Sequence, residues 1–267
     1  MSREYIPHFG IICLVSAFAN YEFVPHAVKS YQMDTINKKY RCPVEVTIEA
    51  IGGKWKCVIL WWLRRDARRF SELKLLLPNI TQKVLTQQLR ELEAEGLISR
   101  ESYKESPPRV EYFLTPEGQT LTPITELMCS WGKQRKSDYQ LSSCRLENVR
   151  VLVVSNDSAP LCVVLQEYGT VVVAARSVAE ALILLDSDCA DILLVDLALF
   201  NEENSQVLIG KIRQIERQMQ KNIGMVAIVA MGNAFERGRA FKMGFAVHLP
   251  SPVEVQEMVG TVASLFS

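Results

Sequence analysis

Seven cysteines, at positions 13, 42, 57, 129, 144, 162 and 189, are the first residues to test for chemistry. Their number is odd and no C-x-x-C pair occurs, so neither a secreted disulfide scaffold nor a zinc ribbon is expected. The pattern fits a reducing, cytoplasmic compartment. His8, His26 and His248 are isolated. No glycine-rich phosphate loop, G-x-S-x-G elbow or metal-ligand cluster appears. The sequence therefore offers no catalytic constellation, no metal site and no cofactor, and an enzyme is not expected. The side chains that could do work are of another kind. Gln82, Lys83, Thr86, Gln87 and Arg90 are spaced to share one side of a helix. Gln bonds adenine bidentately, Arg and Lys bond guanine, and the two basic groups can equally hold phosphate.

The elements that must position these residues follow from periodicity. From Pro43 to Leu63, Val44, Ile48, Ile51, Trp55, Val58, Ile59 and Trp62 recur at helical spacing, interrupted by Gly52-Gly53. Two short helices with a tight junction are predicted. A third helix starts near Ser71, read as its N-cap, and carries Leu73, Leu76 and Leu77. After the Pro78-Asn79 turn a fourth runs from Thr81 to Glu95. Its apolar face is Leu85, Leu89 and Leu92, and Gly96 is its stop. Leu97–Tyr103 and Arg109–Thr115 read as a hairpin, with Val110, Tyr112 and Leu114 alternating along the second strand. Lys104 and Arg109 flank its tip, where phosphate or the minor groove would be met. A closing helix starts at Thr115-Pro116-Glu117 and carries Leu121, Ile124, Leu127, Met128 and Trp131. This is the order of a winged helix-turn-helix, whose second helix enters the major groove.

Composition is close to the globular average, at 48% hydrophobic and 22% charged over 267 residues. The formal charge is zero, which for the whole chain argues against nucleic acid. The zero conceals a division. Residues 34–140 carry 18 Lys+Arg against 14 Asp+Glu, and residues 141–267 carry 10 against 14. A mildly basic segment is joined to a mildly acidic one that can repel DNA or mask the basic face. The apolar run Phe9–Ala19 is too short to span a bilayer, which needs ~20 residues. With Arg3 as its only basic neighbour it makes a weak export signal, so residues 1–41 are read as a poorly ordered tail. Met33 is an alternative start.

The residues of the first region resemble a known family. Cys42-Pro43-Val44-Glu45, Ile51-Gly52-Gly53-Lys54-Trp55 and Arg69-Phe70-Ser71-Glu72-Leu73 are similar to segments of the HxlR-type winged helix regulators. So are Ile80–Glu93, Glu95-Gly96-Leu97-Ile98, Pro107–Tyr112 and Leu114-Thr115-Pro116-Glu117-Gly118. The resemblance covers residues 42–141. It implies a transcription regulator binding double-stranded DNA as a homodimer, with dimer contacts from about Val44–Ala50 and Leu121–Trp131. It also implies a cysteine ahead of the first helix, matched by Cys42, that senses oxidants in some members. Arg41, Lys38, Lys39 and the following helix N-terminus all favour thiolate there. Cys57, among Trp55–Trp62, reads as a small core hydrophobe.

After a linker at 142–147, residues 148–267 alternate strand and helix five times. The strands are nearly continuous apolar runs, as expected where both faces are covered. The expected fold is an α/β flavodoxin-like, doubly wound parallel sheet. Asp191–Leu197 resembles the third strand of a response-regulator receiver, with Asp196 at the phosphoacceptor position. Lys242–Ala246 and Leu249-Pro250-Ser251-Pro252 resemble its closing stretch. The departures are large. Of the paired acids that hold magnesium only Asp157 is present, the lysine position is Ser251, and no hydroxyl follows the fourth strand. The expectation is a degenerate receiver-like module that binds a protein partner without being phosphorylated. The alternative is a two-component response regulator controlled through Asp196. No membrane association is expected.

Overall fold

The computed structural model describes residues 40–105, 108–135, 146–187, 190–199 and 202–266. The N-terminal tail through residue 39, including Phe9–Ala19 and Met33, lies outside these residues, as do residues 136–145 with most of the expected linker.

The first lobe runs α1 (Pro43–Ile51), α2 (Lys54–Leu63), β1 (Arg68–Arg69), α3 (Phe70–Leu76), α4 (Gln82–Ala94), β2 (Ile98–Tyr103), β3 (Arg109–Leu114), α5 (Pro116–Gln119) and α6 (Thr122–Arg135). Gly53 joins α1 to α2 at φ +94°, where a side chain would be strained. The Thr81 hydroxyl caps α4 by accepting from Val84 N at 3.2 Å. Leu85, Leu89 and Leu92 are buried in one cluster with Ile59, Leu60, Leu73, Leu76 and Ile80. Each such side chain contributes about 1.5–3 kcal/mol by leaving water.

Three local expectations change. Ser71 does not cap α3 but sits in its first turn; Arg69 holds the cap position, and its N–H donates to Glu72 Oε2 at 2.9 Å. The carboxylate at the third helical position thus satisfies the cap residue's own N–H, the returning half of a capping box. The closing helix is broken in two. Pro123 has no N–H to offer Gln119 O, so the chain finishes α5 and restarts. Finally, β1 is an additional two-residue strand. It pairs antiparallel with β3, placing Arg68 opposite Tyr112 and Arg69 opposite Glu111, in the sheet order β1-β3-β2.

The second lobe runs β4 (Arg150–Val154), α7 (Ala159–Glu167), β5 (Val171–Ala175), α8 (Val178–Ser187), β6 (Ile192–Asp196), α9 (Glu202–Met219), β7 (Gly224–Ala230), α10 (Ala234–Met243), β8 (Val247–Ser251) and α11 (Val255–Phe266). All pairings are parallel, in the order β5-β4-β6-β7-β8. One face is packed by Ala181, Leu185, Leu208, Ile212 and Ala240 of α8, α9 and α10. The other is packed by Leu165, Met258, Val259 and Val262 of α7 and α11. The chain is therefore a winged helix-turn-helix followed by a flavodoxin-like parallel sheet, with both strand faces covered as the apolar runs required.

The two lobes share core. Val247 of β8 is fully buried within the first lobe's cluster. Gly260 of α11 lies under Trp62, where a Cβ would come within 3.2 Å of the indole. The second lobe thus presents α10, β8 and α11 to the first.

Candidate nucleic-acid interface

The buried leucines of α4 orient its opposite side outward. Gln82, Lys83, Gln87 and Arg90 are exposed and Thr86 is half-buried, so all five expected residues fall on the helix surface away from the core. Thr86 Oγ1 donates back to Gln82 O at 2.9 Å. Gln87 Nε2 donates to Glu91 Oε1 at 2.8 Å, and Glu91 also pairs with Lys56 Nζ at 3.3 Å. The Gln87 amide and then Lys56 hold the Glu91 carboxyl below its ordinary range. Lys56 thereby offsets the charge of the acid, which leaves Lys83 and Arg90 to set the charge of this surface. Lys104, just beyond β2, is exposed as well.

Arg109 is placed differently. It is 5% exposed, unlike Lys104 and the outward residues of α4. Its Nη1 donates to Ala234 O at 3.1 Å, its Nη2 lies 3.4 Å from Glu105 Oε1, and its guanidinium stacks 3.6 Å from the Tyr103 ring. The cause is the inverted burial of β3. The sequence shows Val110, Tyr112 and Leu114 alternating along this strand, but that alternation does not set its burial. In the structure Arg109, Glu111 and Leu114 are buried while Val110, Tyr112 and Phe113 are half-buried. The face that would be solvated in an isolated winged helix is covered here by α10.

That covering rests on a charged network which sequence reasoning missed. Arg237 of α10, 4% exposed, donates from Nη1 to Asp66 Oδ1 at 2.7 Å and from Nη2 to Glu111 Oε2 at 3.0 Å. Arg68, fully buried, bonds Glu257 of α11, His248 O and Glu72. Arg65 Nη1 reaches Glu257 Oε2 at 3.0 Å, and Arg64 pairs with Glu254. His248, read as structural from its strand, is fully buried between Glu72 and Asp66. Burial alone would raise the Asp66 and Glu72 carboxyls. The hydrogen bonds and electrostatic attraction of the His248 ring, with Arg237 at Asp66 and Arg68 at Glu72, outweigh it and bring each to about 2. The available signal was Arg64-Arg65-Asp66-Ala67-Arg68-Arg69 itself. So dense a charge run between two core helices had too few acids beside it in its own lobe, where Glu72 alone among the described residues partners Arg68.

The two remaining candidates sit apart. Cys42 is an exposed free thiol immediately before α1. Cys57, half-buried, donates its S–H to Ile51 O at 3.2 Å, and burial raises its thiol above the ordinary range. Asp196 ends β6 with its Oδ1 accepting from Ala198 N at 3.0 Å. The parallel topology puts Asp157, after β4, and Ser251, at the end of β8, at the same edge of the sheet. Among the described residues no cluster of three or more His, Cys, Asp or Glu could hold a metal ion, and no helix is long and apolar enough to cross a membrane.

Residues 50–140 match the family described as HxlR-like helix-turn-helix. The HTH-type transcriptional regulator YtcD of Bacillus subtilis is 59% identical over 95 residues, which is 36% of this chain and 75% of that protein. Among solved structures, the oxidized form of the redox regulator HypR is 49% identical, covering 35% of this chain and 96% of that one, at a TM-score of 0.34. A Chloroflexus aurantiacus protein named as a response regulator is 26% identical, covering 42% of this chain and 93% of that one, at a TM-score of 0.37. The match to YtcD takes in three quarters of that regulator, and it falls on the lobe that carries α4. On that lobe, the chain belongs to the HxlR-like helix-turn-helix family of transcriptional regulators.

Proposed function

We propose that the protein is a sequence-specific DNA-binding transcription regulator that acts as a homodimer. The observation that carries this reading is α4, with three leucines buried behind it and Gln82, Lys83, Gln87 and Arg90 exposed in front. Two copies of α4 enter successive major grooves about 34–36 Å apart. Lys83 and Arg90 hold phosphate or guanine, Gln82 and Gln87 read base edges, Thr86 lies between them, and Lys104 meets phosphate beside the groove. Dimerisation is supported by unusually exposed apolar side chains on α1 and α6: Val46 and Ile48 on the first, Leu127, Met128 and Trp131 on the second.

Cys42 is the candidate oxidant sensor. It is an exposed free thiol, it follows Arg41, and it sits at a helix N-terminus. The sheet lobe acts as a protein-interaction module without phosphoryl transfer. A second reading, control by phosphorylation of Asp196, has that residue's place at a strand end in its favour. Against it stand Asn156, beside Asp157, and Ser251, where magnesium and phosphoryl oxygens would need an acid and a lysine.

The test is a binding titration on duplex DNA from the region upstream of the protein's own gene. Lys83→Ala and Arg90→Ala each weaken binding, and each that holds phosphate flattens the log–log salt dependence by about 1.8, one contact per protomer of the homodimer. Gln87→Ala instead relaxes sequence preference. Full-strength binding by the Lys83/Arg90 double variant would remove α4 from the interface. Cys42→Ser abolishes any oxidant response, and exposure to a small phosphodonor with magnesium yields no phosphoryl adduct.

A further inference from the structure

Helix α10 lies along the wing and grips it at successive turns. Ala234 O accepts from Arg109, Arg237 bonds Glu111, and Lys242 Nζ lies 3.4 Å from Glu105 Oε2. The Phe241 ring sits 3.7 Å from the guanidinium of Arg69, on the strand paired with β3. Gly238 completes the contact by having no side chain. A Cβ there would overlap Arg109 Nη1, so the guanidinium rests directly on the helix. Lys104, from the same hairpin tip, remains exposed.

We propose that Arg109 is a conditional DNA contact, held off by α10 and delivered to phosphate only when that helix loosens. The inference rests on the DNA-binding reading above. Its physical basis is a competition for one cation. Arg109 is drawn in by Ala234 O, Glu105 and the Tyr103 ring, and a DNA phosphate at the hairpin tip offers the same charge-assisted bonds. Each neighbouring acid has a second cation besides Arg109: Glu111, whose Oε1 lies 3.7 Å from Arg109 Nη1, is bonded through Oε2 to Arg237, and Glu105 is paired with Lys242. Arg109 can therefore leave without stranding either carboxylate. The sheet lobe so governs how many phosphates the winged helix holds, and through them affinity.

Gly238→Ala isolates the effect. It adds one methyl group to a helix that prefers Ala over Gly, and the atom it displaces is the far end of a flexible side chain. In the full-length protein, anisotropy titrations on a labelled duplex from the upstream region should show Gly238→Ala binding on the order of tenfold tighter. Its salt slope should steepen by about 1.8 for the homodimer, one further phosphate per protomer. Adding Arg109→Ala should erase both gains. Phenylglyoxal labelling read by mass spectrometry gives an arm that needs neither DNA nor the variant: Arg90 is modified in the wild type and Arg109 is spared. A folded Gly238→Ala protein with wild-type affinity and slope would overturn the proposal, as would a gain that survives Arg109→Ala or equal labelling of the two arginines. If no form of the protein binds any duplex, the DNA-binding reading fails and this inference with it. If the wild type binds and Gly238→Ala changes nothing, the conditional contact alone fails.

Discussion

Glu72 Oε1 lies 2.8 Å from His248 Nδ1, joining the start of the helix-turn-helix to the last strand of the sheet lobe through two fully buried side chains. The same oxygen accepts from His248 N at 3.2 Å and from Arg68 Nη1 at 3.3 Å. The other oxygen holds the N-terminus of α3 through Arg69 N. One carboxylate therefore fixes both the entry to α3 and the seat of a neighbouring lobe.

Breaking this network should cost far more than its net worth. A buried ion pair roughly balances its desolvation, but losing one partner strands the other. Glu257→Ala leaves Arg68 buried with Glu72 as its remaining carboxylate. The expected loss is about 3–5 kcal/mol, measured by urea denaturation of the full chain. Arg64→Ala, whose partner Glu254 is substantially exposed, should cost less.

Acid should open the same seam. Asp66 and Glu72 fall from ordinary values of 3.8 and 4.5 to about 2 in the folded protein. A carboxyl depressed by folding stabilises the folded state above its unfolded value and loses that contribution as pH falls through its folded one. Thermal stability should therefore decline steeply between about pH 4.5 and 2. The Glu72→Gln protein should start lower at neutral pH and show a shallower decline. Melting curves across that range provide the check.

The exposed apolar side chains of α6 should control self-association. Leu127 and Trp131 are 62% and 65% exposed. Charged replacements there remove apolar contact and add desolvation cost at an interface. Leu127→Glu with Trp131→Glu should yield a monomer with an unchanged circular dichroism spectrum, measured by sedimentation velocity. A dimer that persists would place the contact elsewhere.

Truncating the core behind α4 should separate fold from recognition. Leu89→Ala is expected to cost about 2–5 kcal/mol. Because Leu89 lies behind the exposed residues, affinity for DNA at temperatures well below the melting point should change little beside that of Arg90→Ala. Parallel melting and binding curves decide it.

The sequence carried α4 almost entirely: the leucine spacing, the Thr81 cap and the Gly96 stop are local properties, and the structure keeps each. The sheet strands were equally legible, since a run such as Ile192-Leu193-Leu194-Val195 admits few alternatives to a strand covered on both sides. What escaped was decided between lobes. β1 is two arginines with no alternation to detect, and it exists because β3 offers it an edge. Arg109 read as a solvated wing residue because nothing within its own lobe would bury it. Its neighbour Glu111 is paired by a residue 126 positions away. Periodicity reports the face an element turns toward its own core, and says nothing of a second surface that folds onto its back.

Arg68 meets Glu257 only 189 positions later in the chain. At roughly 5–20 residues per second of translation, that interval lasts about 10–40 s. For that time a newborn winged helix holds a guanidinium with Glu72 beside it but its second carboxylate not yet synthesised. The helix-turn-helix core can collapse early on its own leucines, but its charged back must stay hydrated until α11 emerges. Synthesis itself thus sets a delay between making the DNA-reading helix and completing the protein that carries it.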